Sequence, residues 1–278
     1  MLSWVLSVET ARQHYPETCL VTDDAGARLL VDELRLPFTS VSTALNTLTE
    51  HDPGWWSLGK LSAYLLQDKP FIHIDSDAYL WKRLPEELEQ ARIFSQSPEP
   101  ISPGSTLAQV YQAAAFERLL QNPGRGWLPD AWHWYRHSNL PQRAECCGLF
   151  GGNDIEFIHH YAQTAKKIIE DPSNAEALKQ TGDKMTQMVL IEQYLLSACV
   201  EYHHQKQDSP FKEIRMSYLL DQMEHFGNPV HLAQFGYSHL ISDAKRNPIL
   251  ADRLMRRVKR DYPDYYDRCM RMPMRIST

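Results

Sequence analysis

Two aspartates one residue apart, Asp75 and Asp77, close the apolar run Pro70-Phe-Ile-His-Ile74. In an extended chain residues i and i+2 share a face, so both carboxylates are expected to point to one spot just past a strand end. A hard divalent cation, Mg²⁺ or Mn²⁺, would relieve their repulsion through oxygen ligands and leave room for substrate phosphates. Most D-x-D triplets are solvated turns. Here the apolar strand before the acids and the aliphatic and aromatic stretch Ala78 to Trp81 after them favour a metal.

A second constellation lies near the end of the chain, in His239-Leu-Ile-Ser-Asp-Ala-Lys245. A histidine at a strand end can complete a carboxylate metal site, and a lysine six residues on can meet a phosphate as a point charge. Alone, the pair reads as a surface histidine and a solvated lysine; the pairing with D-x-D is what favours a site. Glu192 falls in the middle of an apolar helical stripe (Met185, Met188, Val189, Leu195, Leu196, Cys199), so its carboxylate should be enclosed. It then either bonds an internal Arg or His or lines a polar cavity, with Gln193 beside it as another polar contact. In Gly148-Leu-Phe-Gly151-Gly152-Asn153-Asp154 the glycines permit close backbone approach to a ligand, or form a tight turn before the next helix. The spacing is not that of a P-loop. Lys60 by itself reads as a solvated lysine, and Cys146-Cys147 as packing.

The elements that must carry these residues alternate. The periodicity predicts a helix over residues 2–15, a buried strand Thr18 to Thr22, a helix Gly26 to Leu34, an apolar segment Pro37 to Val41, a helix Leu58 to Gln67 and the strand ending at Asp75. A surface loop is expected at Ser95 to Ser105, then a helix Leu107 to Leu120. Further helices are expected near 155–169, 175–204 and 248–260, with strands at Arg215 to Leu220 and near Phe235 to Leu240. Strands alternating with helices imply a mainly parallel sheet whose ligands lie beyond the strands' carboxyl ends.

The chain has 278 residues, 43% hydrophobic and 23% charged, which excludes disorder and fibre. No apolar run approaches the ~18 residues a spanning helix needs. Its first residues have no basic n-region or small-residue cleavage site, so cytoplasmic residence is the expectation. Five cysteines without C-x-x-C spacing argue against a disulfide framework and a zinc ribbon. Residues 245–278 hold ten Lys and Arg against four acids, and the remainder 19 against 31. An acidic body is a poor nucleic-acid binder, so none is expected as a partner. The basic helix near 248–260 has one apolar face. Its arginines either bridge acids within the protein or attract an anionic membrane, which would make the protein peripheral at the inner membrane face.

Taken together, D-x-D after an apolar strand, the Gly-rich segment, the Glu192-Gln193 helix and the late H-x5-K resemble the GT-A glycosyltransferases. The resemblance is to the glycogenin-like and lipopolysaccharide-galactosyltransferase-like enzymes and to bacterial DxD-containing proteins of undefined substrate. It implies a single Rossmann-like α/β domain over residues 1–278, with a helical insertion at about 105–145. In that family the D-x-D and the histidine of a late H-x-x-G-x-x-K motif bind Mn²⁺ on a UDP-sugar, and the motif's lysine contacts the diphosphate. Carried over, Asp75, Asp77 and His239 would hold Mn²⁺ or Mg²⁺, and Lys245 would contact the diphosphate. Trp55 to Pro85 is the most family-like segment, with Lys60 where a basic donor-contacting residue is expected. Cys147 to Asp154, including Gly151 and Gly152, resembles the loop under the donor sugar, and Glu192 or Asp154 would orient donor or acceptor.

The implied activity is transfer of a sugar from a nucleotide-diphosphate sugar to a hydroxyl on a glycan, lipid-linked or protein acceptor. The alternative is an inactive nucleotide-sugar- or glycan-binding protein on the same scaffold. Ser242 stands where the motif has glycine, Arg246-Asn247 where it has Pro-Trp, and the chain opens in a helix where the family opens in a strand. An aspartyl-phosphate hydrolase is disfavoured because position 79 is Tyr, not Thr or Val.

Overall fold

The computed structural model describes residues 1–121, 126–222, 225 and 229–272. The chain is α/β and folds into two compact units interleaved along the sequence: Met1–Thr47, Ile74–Leu84 and Val230–Thr278 in the first, Leu48–His73 and Pro85–Pro229 in the second. Among the described residues no helix is long and apolar enough to cross a membrane.

In the first unit the helix Leu2–Arg12 is enclosed on nearly every side, with Val5 to Ala11 all buried. Its apolar side joins Leu20, Leu30, Leu34, Tyr79, Val258 and Cys269 in one core. Each such side chain taken out of water contributes about 1.5–3 kcal/mol. The expected strand–helix–strand follows. Strand Cys19–Val21 pairs in parallel with Ser40–Ser42, Leu20 opposite Val41. The intervening helix is Asp24–Ala27, capped by Asp23 and continued by a wider π-type turn over Arg28–Glu33. The second strand starts three residues later than the apolar segment Pro37 to Val41 suggests. Proline lacks the N–H for the ladder, and pairing begins only after Phe38 joins the core. Strand Ala78–Leu80 pairs antiparallel with Tyr237–His239. The basic helix runs from Pro248 to Asp261, capped by the Asn247 side chain, and another helix, Pro263–Arg271, follows it.

The second unit holds a four-stranded sheet in the order Phe71–Ile74, Leu149–Gly152, Ile93–Ser95, Met216–Tyr218. The third strand runs antiparallel to the second and parallel to the fourth. The sheets are therefore small and mixed in direction. Helices Leu58–Leu65, Ile155–Glu170 and Leu195–Gln205 and the aromatic helix Asp130–His137 enclose a core containing Tyr64, Trp132, Tyr135, Phe150, Phe157, Tyr161 and Tyr194.

Besides the mainly parallel central sheet, which these small mixed sheets replace, three expectations fail here. Ser95, Gln96 and Ser97 are buried, not part of a surface loop: Gln96 N donates to Cys146 O and Gln96 O accepts from Leu220 N, so extended backbone pairing carries these small polar residues through the interior. The proline-containing segment Pro98–Pro100 pairs with Arg143–Glu145 in a two-stranded sheet, the setting in which missing N–H groups cost least. The long helix expected at 175–204 breaks once, at residues 181–183, into Ala175–Gln180 and a continuous run from Lys184 to Gln205 that contains a π-type turn at Leu190–Tyr194; Asp183 caps the second piece after Gly182. Likewise the helix at 107–120 divides into Thr106–Val110 and Ala113–Gln121.

Candidate functional site

Within the first unit Asp75, Asp77 and His239 bring three ligand atoms within 4.8 Å of one another. His239 Nε2 lies 3.3 Å from Oδ1 of Asp77 and 3.9 Å from Oδ2 of Asp75. Ligands held at about 2.1 Å from one ion are about 3–4 Å apart, so this spacing suits a single cation. Two carboxylate oxygens and an imidazole could hold a divalent cation, and the geometry does not choose among them. Lys245 Nζ reaches Oδ2 of Asp77 at 2.5 Å, and its own side chain is 56% exposed. Burial alone would raise the Asp77 carboxyl. Hydrogen bonds from His239 and Lys245, together with their charges, instead hold it below its ordinary value.

The convergence arises differently from strand alternation. Strand Phe71–Ile74 ends before the acids, and Asp75-Ser76-Asp77 forms a turn closed by Ala78 N donating to Asp75 O at 2.9 Å. Asp77 O then accepts from Leu240 N at 2.9 Å, which ties the turn to the strand carrying His239. That strand is in register with the one leaving the turn, His239 opposite Ala78. Beneath the turn, Ser3 Oγ donates to Ser76 O at 2.7 Å and Ser7 Oγ to Asp75 O at 3.2 Å, while Thr10 Oγ1 accepts from Leu80 N. These supports were missed in the sequence. Their signal is a polar stripe at i, i+4 and i+7 on the first helix, which local reading assigns to solvent.

Ser242 occupies the left-handed region at φ 51° and opens the 3₁₀ turn Ser242–Arg246 that bears Lys245. The residue standing in the motif's glycine position therefore adopts a backbone conformation that glycine favours, at a cost of about 1–2 kcal/mol for an L side chain.

The remaining candidates belong to the second unit, where each has a structural task. Glu192 is wholly buried and pairs with Lys60, Nζ to Oε1 2.7 Å; the same ammonium donates to Cys147 O at 3.2 Å. Glu192 is thus a core ion pair rather than a cleft residue, and Lys60 is neither solvated nor presented to a donor. Gln193 meets the Tyr111 hydroxyl, which also contacts Glu99. Asp154 caps the helix Ile155–Glu170 by accepting from Phe157 N at 3.0 Å and binds Arg92 at 2.5 Å, so its carboxylate serves the helix end. Gly151 and Gly152 are buried strand residues, not a ligand loop. A β-carbon on Gly151 would come within 2.1 Å of Phe71 O, and on Gly152 within 2.2 Å of Arg92 O, so bare backbone is needed where strands meet.

Two other buried groups have displaced titrations. Burial pushes the Glu145 carboxyl up to about 7 against the opposing pull of Arg143 and Ser197. His203 sits 2.8 Å from His160, Nε2 to Nε2, with Nδ1 at 2.7 Å from Ser209 Oγ. Burial first, then the charges of His160 and Lys206, bring its pKa down to about 4. The unfolded chain therefore takes up a proton that folded His203 resists. Its contribution to stability is complete above about pH 6.5 and is lost as pH falls toward 4, by up to about 3 kcal/mol. Glu145 acts in the opposite sense, so the two must be separated by substitution. Urea unfolding at pH 7.5 and 5.0 is expected to show a larger acid loss for the native protein than for His203→Gln. Equal losses would remove the histidine from the acid response.

No curated protein and no solved structure matches this chain. A family model matches residues 1–272, nearly the whole sequence, and the chain accordingly belongs to DUF6734, a family of unknown function.

Proposed function

We propose that this protein is a metal-dependent glycosyltransferase of GT-A type that takes a nucleotide-diphosphate sugar, most simply a UDP-sugar, as donor. The observation that carries the reading is the convergence of Asp75, Asp77 and His239 on one point, with Lys245 bonded to Asp77, from segments more than 150 residues apart. The left-handed backbone at Ser242 supports it independently. Asp75, Asp77 and His239 would hold Mn²⁺ or Mg²⁺, which when bound supplies positive charge to the leaving diphosphate. Lys245, exposed and bonded to Asp77, would share that charge as a compact cation. Ser3 and Ser7 fix the turn so that both carboxylates are oriented before ligand arrives.

A binding protein without transferase activity is the second reading. It is favoured by the engagement of Glu192 and Asp154 in structural pairs, which leaves the acid–base role without either resident. One experiment addresses both. UDP-glucose and UDP-galactose are expected to raise the thermal midpoint only with Mn²⁺ or Mg²⁺ present, and release of UDP separates turnover from binding. Equal stabilisation in excess EDTA would refute the metal-dependent reading.

A further inference from the structure

Helices Ala113–Gln121 and Asp130–His137, both in the second unit, each turn a polar stripe toward one open cavity of about 460 Å³. Glu117, Arg118 and Gln121 come from the first helix and His133, Arg136 and His137 from the second, at the i, i+3, i+4 spacing that puts side chains on one face. The opposite faces, with Phe116, Leu120, Trp132 and Tyr135, are buried in the core and hold the two stripes in place. The imidazoles are oriented. Nδ1 of His133 meets the carboxylate of Glu117, itself only 8% exposed, at 2.9 Å, and Nδ1 of His137 meets His133 O at 2.9 Å. Each ring therefore has its Nδ1 engaged by the protein and keeps Nε2 as its other polar atom. Among the described residues Arg118 and Arg136 pair with no carboxylate, although the body of this protein is acidic.

We propose that this cavity binds the phosphate group of a small ligand, Arg118 and Arg136 giving guanidinium forks; His133 and His137, whose Nδ1 atoms donate to Glu117 and to His133 O, add Nε2 donors only as imidazolium rings. Glu117 lines the same cavity, but its carboxylate is met by His133 and it acts as the ring's orienting partner. A planar carboxylate is satisfied by a single arginine fork, whereas donors arriving from two helices suit a tetrahedral oxyanion with acceptors on several sides. The cavity is wide open to solvent, so it suits a small charged group held by its arginines rather than an enclosed ligand. This site is independent of the metal centre and of the glycosyltransferase reading.

Thermal unfolding of the full chain at pH 7 tests it, with inorganic phosphate, glucose 1-phosphate and sodium chloride at matched ionic strength. Phosphate at 10 mM is expected to raise the midpoint by about 2 °C more than chloride. An equal rise with glucose 1-phosphate means that the phosphate alone is read, and a larger one that the sugar is read as well. The rise should vanish in Arg118→Ala/Arg136→Ala and also in Ala114→Glu, which keeps both arginines and places a carboxylate in the cavity. It should persist in Asp77→Asn. Phosphate also stabilises proteins non-specifically by exclusion from their surface. A rise that is absent in the native protein, or that survives in both cavity variants, would overturn the proposal; if the double variant does not fold, Ala114→Glu decides.

Discussion

Asparagine at position 77 is expected to abolish the metal-dependent stabilisation by a UDP-sugar while leaving the protein folded. Asp77 supplies one of two carboxylates in the cluster and is the only residue there bonded to both His239 and Lys245 among the described residues. Asparagine keeps the shape and one oxygen but removes the charge. A hard cation then keeps one charged carboxylate, Asp75, beside His239 and a neutral amide oxygen, and affinity should fall by on the order of 100-fold. The fold should lose only about 1–2 kcal/mol, because the turn is held by backbone and serine contacts, Ala78 N to Asp75 O, Leu240 N to Asp77 O and Ser3 Oγ to Ser76 O, which the substitution leaves in place. The thermal midpoint should therefore drop modestly without ligand and cease to respond to UDP-glucose plus Mn²⁺. Collapse of the ligand-free protein would make Asp77 a structural aspartate, and an undiminished response would remove it from the metal site.

Replacing Lys60 with Met should destabilise the protein by about 3 kcal/mol or more. Its partner Glu192 has no solvent exposure, so removing the ammonium leaves a carboxylate that must either stay charged in a poorly polarisable interior or take up a proton. The neighbouring Cys147 thiol is pushed far above its usual range, first by burial and then by the charge of Glu192, and offers no compensating cation. Lys60→Met/Glu192→Leu, which removes both charges at similar volume, should recover most of the loss. Urea unfolding of the two variants beside the native protein measures this. A neutral single substitution would mean that Lys60 is not needed to hold Glu192, and a double variant no better than the single would assign the loss to packing. The sign also bears on function: a carboxylate so enclosed holds the core together and is poorly placed to receive a proton from a substrate.

The local order of elements was legible in the sequence because it rests on short-range periodicity. The helix preceding the first strand, the apolar run before Asp75, the helix after Asp154 and the basic helix after Asn247 were expected where they occur, within a few residues. So was the enclosure of Glu192, since an acid inside an apolar stripe of one helix is a statement about that helix alone. One failure of local reading comes from equating polar composition with exposure, at residues 95–97. Ser95, Gln96 and Ser97 are buried with their backbone groups satisfied by extended pairing, although the Ser95 hydroxyl has no partner among the described residues, and Ser3 and Ser7 bond a turn far along the chain.

The sequence by itself determined the chemistry on offer: two aspartates, a histidine and a lysine of the right types for a divalent cation and a phosphate, on segments that end strands or begin turns. Only the tertiary structure decided which of the candidates share a point in space. It joined Asp75, Asp77, His239 and Lys245 through one antiparallel strand pair, and it gave Lys60 to Glu192, Arg92 to Asp154, and Gly151 and Gly152 to the contacts between strands. The physical reason is range. Propensity, capping and face periodicity act within about a turn or two of the chain, whereas a buried charge is assigned by whichever partner packing brings within about 3 Å, at any separation in sequence.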